Sequence, residues 1–139
     1  MSKVFRGIHD IQKNYNWLIS DVNAYPNTPG FQELIDNEYV WITGIELTKM
    51  IEIEDFQWIW GAFSGFAPGI EKETVLQYDI PCVLDNYSLW ENQPMIRHPL
   101  ADIEILAFDS SYVTIVCKND AIISDYLASH PFAIDLLKE

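Results

Sequence analysis

Positive charge is what this chain has least of. Eight Lys and Arg stand against twenty-one Asp and Glu in 139 residues, a net charge of -13 at pH 7. The deficit is uneven. Lys3, Arg6 and Lys13 face only Asp10 near the start, whereas from Asn14 to Cys117 sixteen acidic residues meet three basic ones, Lys49, Lys72 and Arg97. Affinity for nucleic acid comes largely from Lys and Arg neutralising phosphates, so this field disfavours direct binding of DNA or RNA. It raises the on-rate for a basic protein and turns away acidic ones. The plainer use of such a charge is the solubility of a small domain.

Other absences narrow the field further. The two cysteines, Cys82 and Cys117, form no CxxC pair, and no spaced Cys/His set marks a zinc site, so neither metal nor cofactor is expected. A single disulfide between them is the one crosslink the sequence allows. No apolar run approaches the ~20 residues of a membrane span. The opening M-S-K-V-F-R-G-I-H-D lacks the apolar stretch of a signal peptide, which makes the cytoplasm the expected location. There is no P-loop, no G-x-G-x-x-G and no H-E-x-x-H. Repeats, low-complexity blocks and Gly/Ser linkers are absent too.

What is present is the composition of a folded domain. Apolar residues are 49% of the chain and charged ones 21%, which sets it apart from disordered sequences. At this length one domain, residues 1–139, buries roughly two thirds of its unfolded surface.

Asn16 to Val22 reads as a strand, stopped by A-Y-P-N-T-P-G. Thr28 is a candidate cap for a short helix with Pro29 at its first position, Phe31, Leu34 and Ile35 on one side and Asn37 at its end. Tyr39 to Thr43 has strand composition. Leu47 to Ile53 fits either period, and a short helix from Thr43 or Thr48 is the reading adopted. In D-F-Q-W-I-W-G-A-F-S-G-F, Phe56, Trp58 and Trp60 sit at a spacing of two, which places them on one face of a strand covered on both sides and central in its sheet. Gly61, Gly65 and Pro68-Gly69 then mark bends or turns. Lys72 to Tyr78 gives a helical turn or two, and residues 79–94 a long loop. Ile103–Phe108 and Tyr112–Cys117 form a hairpin through Asp109-Ser110-Ser111, followed by a helix capped by Asn119 or Asp120 and ended by Pro131. The fold class is therefore α+β: a mainly antiparallel sheet of four or five strands with helices packed on it.

Candidate chemistry is thin. Ser64 in A-F-S-G-F resembles a nucleophile elbow, but Ala62 and Phe66 stand where the strained turn needs glycine, so a bend beside a core strand is expected instead. His9, His98 and His130 lie apart without metal spacing and read as solvated or edge residues. Cys82, His98 and Asp102 have the types of a thiol catalyst, and Glu52/Glu54 or Asp102/Glu104 would be carboxylate pairs on one strand face if extended. A chain with twenty-one carboxylates yields such pairs by chance. Trp58 and Trp60 are expected to be core, with a ring-stacking ligand pocket as the alternative. Tyr87 and Trp90 stand in the long loop beside Asp85 and Glu91, where aromatic anchors ringed by charge favour protein recognition. Their other use is to fold the loop back onto the domain.

The segments W-G-A-F-S-G-F and H-P-L-A-D-I-E-I-L-A-F-D-S-S-Y-V-T-I-V-C-K-N-D-A-I-I-S-D-Y-L together resemble the small acidic immunity proteins of bacterial polymorphic and contact-dependent toxin systems. The resemblance covers about half the chain. It implies a cytosolic inhibitor without catalytic residues that binds a cognate toxin domain, such as a basic nuclease, and covers its active site or substrate groove. No family binding residue carries over, so the contact surfaces come from the residues themselves: Asp85, Tyr87, Trp90 and Glu91 as a loop patch, and Glu33, Asp36 and Glu38 as a second acidic surface. The alternatives are a small hydrolase or transferase using Cys82 or a carboxylate pair, and a small-ligand-binding module.

Overall fold

A computed structural model describes residues 1–83 and 95–136. Its centre is an antiparallel sheet of five strands in the order β2-β1-β3-β4-β5. These are β1 (Asn16–Ala24), β2 (Tyr39–Thr43), β3 (Trp58–Phe66), β4 (Ile103–Phe108) and β5 (Tyr112–Cys117). Around it lie α1 (Ser2–Gly7), a 3₁₀ turn (Ile11–Asn14), α2 (Phe31–Ile35), α3 (Gly44–Ile53), α4 (Lys72–Val75) and α5 (Asp120–Ser129). The α+β class, the β4–β5 hairpin and the central place of the tryptophan strand are as the sequence indicates.

Strand alternation divides the core into two layers. Trp17, Ile19, Val40, Ile42, Phe63, Ile103, Ile105 and Ala107 point to one face, where they meet Val4 and Phe5 of α1, Leu47, Met50 and Ile51 of α3, and Ile122 of α5. Leu18, Phe66, Leu106 and Phe108 point to the other. That face is covered by Val75 of α4, Val83 and Ala101, with Ile70, Ile96 and Leu100 packed partly against it. Trp17, Phe63 and Phe66 are wholly buried, and each contributes roughly 2–3 kcal/mol through that burial.

The expected common face of Phe56, Trp58 and Trp60 does not form. Ser20 pairs with Ala62, but the next β1 partners are Asn23 with Trp60 and Ala24 with Trp58, so the ladder slips twice. Asp21 takes a left-handed conformation (φ 53°) in the first slip. The second places Ile59 as an extra residue, and an extra residue reverses the side-chain alternation. Trp58 therefore packs on Phe63 (4.8 Å between centroids) and Phe56 (4.6 Å) in the helix-covered layer. Trp60 goes through the sheet to Phe108 (6.3 Å).

The glycines of β3 are not bends. Gly65 is a paired strand residue, where a Cβ would come within 2.7 Å of Ile103 Cγ2 and 3.0 Å of the Trp17 ring; its missing side chain is the space the indole fills. Ser64 is equally a strand residue and not the bend expected of it.

Helix ends depart from expectation in one case. Thr43 caps α3, its Oγ1 accepting from the Glu46 amide (3.1 Å), and Asn119 caps α5 through the Ala121 amide (3.0 Å). Thr28 caps nothing: α2 starts after Gly30 (φ 88°), and the Thr28 hydroxyl donates to Glu54 (2.7 Å). Asn37 closes α2 as expected, its Nδ2 donating to the carbonyls of Glu33 and Leu34 (3.0 Å each). Helix α1 has no local sequence signal, because its start is held by Asp55, which accepts from the Ser2 amide and hydroxyl across 53 residues.

Gly44 joins β2 to α3 where the 3₁₀ turn crosses beneath it. A Cβ there would lie 1.8 Å from the Gln12 carbonyl oxygen, which already accepts from Trp17 Nε1 (2.9 Å). Backbone cannot yield as a side chain can, so Gly44→Ala should lower the urea midpoint by the equivalent of about 1–3 kcal/mol or more. Gly69→Ala, with open space around it, should leave the midpoint nearly unchanged. Equal midpoints for the two variants would show that the crossing adjusts without cost.

Candidate functional site

The residues singled out for chemistry separate into a buried cluster, a set of structural carboxylates and an exposed acidic edge. The buried cluster sits on the second face of the sheet, where Ser64 on β3 stands directly opposite Glu104 on β4. Ser64 Oγ donates to Glu104 Oε2 (2.8 Å), the Arg97 amide donates to Oε1 (2.5 Å), and the His98 amide approaches Oε2 (3.4 Å). Both side chains are closed to solvent. Burial pushes the Glu104 carboxyl above its ordinary value of 4.5, against the opposing pull of the Arg97 amide, the Ser64 hydroxyl and the His98 amide.

His98 corrects the expectation of a solvated or edge histidine. Its ring is fully buried, edge-on to Phe66 (4.8 Å) and Tyr78 (5.2 Å). The Leu100 amide donates to Nδ1 (3.1 Å), so the proton is on Nε2, which donates to the Val75 carbonyl (2.9 Å). Both nitrogens are thus committed to backbone, and neither has a lone pair to offer a thiol. Cys82 lies exposed at the surface while His98 is inside, so the thiol–imidazole–carboxylate constellation is not assembled. His9 is exposed, 3.8 Å from Asp125, and His130 stacks on Tyr126 (4.1 Å).

The carboxylate pairs also separate. Asp102 lies just before β4, its amide on the Gly65 carbonyl and its carboxylate 3.8 Å from Lys118 Nζ, while Glu104 is buried. Glu52 is exposed on α3. Glu54 accepts from the Thr28 hydroxyl and from the amides of Asn27 and Thr28, and the Thr28 hydroxyl is the main cause holding its carboxyl below the usual value. Asp55 feels burial, which raises it, yet the Ser2 hydroxyl and the Met1 amine 2.9 Å away leave it lowered overall. These two carboxylates tie the α1 start and the 24–30 turn to the end of α3. Their role is to hold loops.

Of the recognition residues, Asp85, Tyr87, Trp90 and Glu91 lie outside the described residues. Glu33, Asp36 and Glu38 are all exposed and fall together, on α2 and the short turn into β2. Asp36 accepts from Gln32 Nε2 (2.8 Å). Asp36 is the C-cap of α2 and Glu38 lies in the turn beyond it, so both carboxylates stand at the approach to β2.

Beside this acidic turn the surface is hollowed into an open concavity of about 400 Å³, lined by Leu34, Glu38, Tyr39, Trp41 and Lys72 among others. Lys72 Nζ lies 5.5 Å from the centre of the Tyr39 ring, and Trp41 packs on Phe66 (5.8 Å). Sequence reasoning missed Tyr39 and Trp41 as surface aromatics: their spacing identifies a strand, but strand order alone puts that strand at the edge. Trp58 and Trp60 were the alternative stacking platform. Trp58 is buried, with no hydrogen-bond partner for its Nε1 among the described residues, and Trp60 is half-buried against Phe108, and neither lines this concavity.

Among the described residues, no group of three or more His, Cys, Asp or Glu could hold a metal ion, and no helix is long and apolar enough to cross a membrane. Compared with protein-family models, curated proteins and solved structures, the chain gives no match.

The raised Glu104 carboxyl makes a signed prediction. A group whose folded value exceeds its unfolded one contributes stability that is complete below the unfolded value and is lost as pH rises through the folded one. The stability of the native chain relative to Glu104→Gln should therefore fall as pH climbs from about 4.5 toward neutrality. Urea titrations of both proteins across that range measure it. A difference that is flat or rises with pH would mean that the three donors outweigh burial.

Proposed function

We propose that this chain is a binding protein that neutralises a basic partner, in the manner of an immunity protein covering the active site or substrate groove of a toxin domain. The observation that carries the reading is the acidic turn Glu33–Glu38 set against an open, aromatic-lined concavity at the sheet edge. The carboxylates of Glu33, Asp36 and Glu38 are exposed, which leaves them accessible to a partner.

Two further points support the same reading. The excess of sixteen acidic over three basic residues from Asn14 to Cys117 produces a long-range field that speeds encounter with a cationic protein and opposes nucleic acid. Moreover, the residue types of a thiol or carboxylate catalyst are spent on structure: His98 on two backbone groups, Glu104 on Ser64 and two amides, Glu54 on the 27–28 turn.

The test is neutralisation. Co-expression of this chain with each toxin-like domain encoded beside it should restore growth in one case, and the two proteins should co-elute on sizing. The association rate should fall steeply with added salt, as expected for electrostatic steering. Absence of both rescue and complex with every neighbouring product would refute the reading. A salt-independent association rate would remove the acidic surface from it.

A further inference from the structure

The edge of β2 is built like an unfinished sheet. Among the described residues β2 pairs only with β1, from Asn16–Thr43 to Ser20–Tyr39, in unbroken register. The Gly44 amide donates to the Tyr15 carbonyl (2.8 Å) immediately beyond that ladder, which fixes the phase of the antiparallel alternation. Hydrogen-bonded pairs then fall at Ile42–Trp17 and Val40–Ile19, so Tyr39 and Trp41 turn their N–H and C=O groups away from β1. Neither residue's backbone has a partner among the described residues.

Proteins usually protect such an edge with Lys, Pro, a bulge or an inward charge. Tyr39 to Thr43 contains none of these. What flanks the edge is acid: Glu33, Asp36 and Glu38 at one end and exposed Glu46 in the first turn of α3 at the other, against Lys72 on the concavity wall. The concavity runs beside Tyr39 and Trp41, giving alternate side chains of an added strand a place to pack.

We propose that β2 receives an extended basic segment of the partner as a sixth strand, its main chain bonding to Tyr39 and Trp41 and its Lys or Arg side chains meeting the acidic turn. This deepens the inhibitory reading and rests on it for the nature of the partner. Main-chain bonding supplies affinity without demanding a sequence, and the charges select cationic strands over others. The other edge strand, β5, serves as the internal comparison because α5 follows it directly and packs on the same layer.

The experiment is a selection of short random peptides on the full chain, followed by amide hydrogen exchange. Selected peptides should alternate Lys or Arg with β-branched or aromatic residues and should slow exchange at Tyr39 and Trp41 by about tenfold or more, a difference of about 1.4 kcal/mol in local opening. Glu33→Lys/Glu38→Lys, at two exposed positions, should weaken those peptides about tenfold without changing the melting temperature. Tyr39→Pro removes an outward donor while leaving the β1 ladder paired, and should abolish the protection at Trp41; if this variant does not fold, the charge reversal decides alone. Peptides that protect β5 amides, that protect no strand, or that lack basic residues would overturn the proposal.

Toxin neutralisation separates it from the reading beneath it. Rescue that persists in Glu33→Lys/Glu38→Lys and Tyr39→Pro leaves the inhibitor standing and overturns the edge. Basic peptides bound on β2 with no toxin neutralised do the reverse.

Discussion

A central strand with no polar face is the constraint from which the rest follows. β3 is hydrogen-bonded on both edges, and from Gly61 to Phe66 it is buried on both sides. Leaving either face to water would expose large aromatic surfaces, so the sheet must be covered twice. The first cover is local and helical, supplied by α1, α3 and α5. The second is made from the chain between β3 and β4, whose described residues include the short helix α4 and pack through side chains such as Ile70, Val75, Val83 and Leu100.

The second cover explains the buried carboxylate. The irregular stretches among the described residues of this cover bring backbone amides into the interior, and these must find partners. Glu104 takes those of Arg97 and His98, His98 takes that of Leu100, Ser20 donates to the Pro81 carbonyl and Asp21 accepts from the Val83 amide. Acids on the strands, Glu104 of β4 and Asp21 of β1, thus fasten irregular chain to a regular sheet. The arrangement costs desolvation, visible in the raised carboxyl, and that cost is what three donors offset. Ser64, Glu104 and His98 resemble catalytic types in the sequence but are engaged in fastening.

Ser64, Glu104 and His98 lie inside, while the chain as a whole carries charge mainly of one sign. Net charge alone does not choose a face. The features that bear on that choice meet at α2–β2: an unfinished ladder, a hollow bearing Tyr39 and Trp41, and the exposed acids Glu33, Asp36 and Glu38. Each feature has an ordinary explanation in isolation. Together they are the grounds on which a cationic partner is proposed.

Local pattern determined a good deal. The period of two and β-branched content mark β1, β2, β4 and β5, the Asp-Ser-Ser turn joins the last pair, and Thr43 and Asn119 announce their helices, because each signal acts over a few residues. Tertiary structure decided what depends on distant partners. The slip that sends Trp58 and Trp60 to opposite faces arises from the bulged pairing with β1; α1 depends on Asp55; His98 is buried because the cover folds over it; and Tyr39 and Trp41 reach the surface because strand order leaves β2 outermost. Sequence carries the period of a strand, but which neighbour it finds, and therefore which of its groups meet water, is settled only when the sheet assembles.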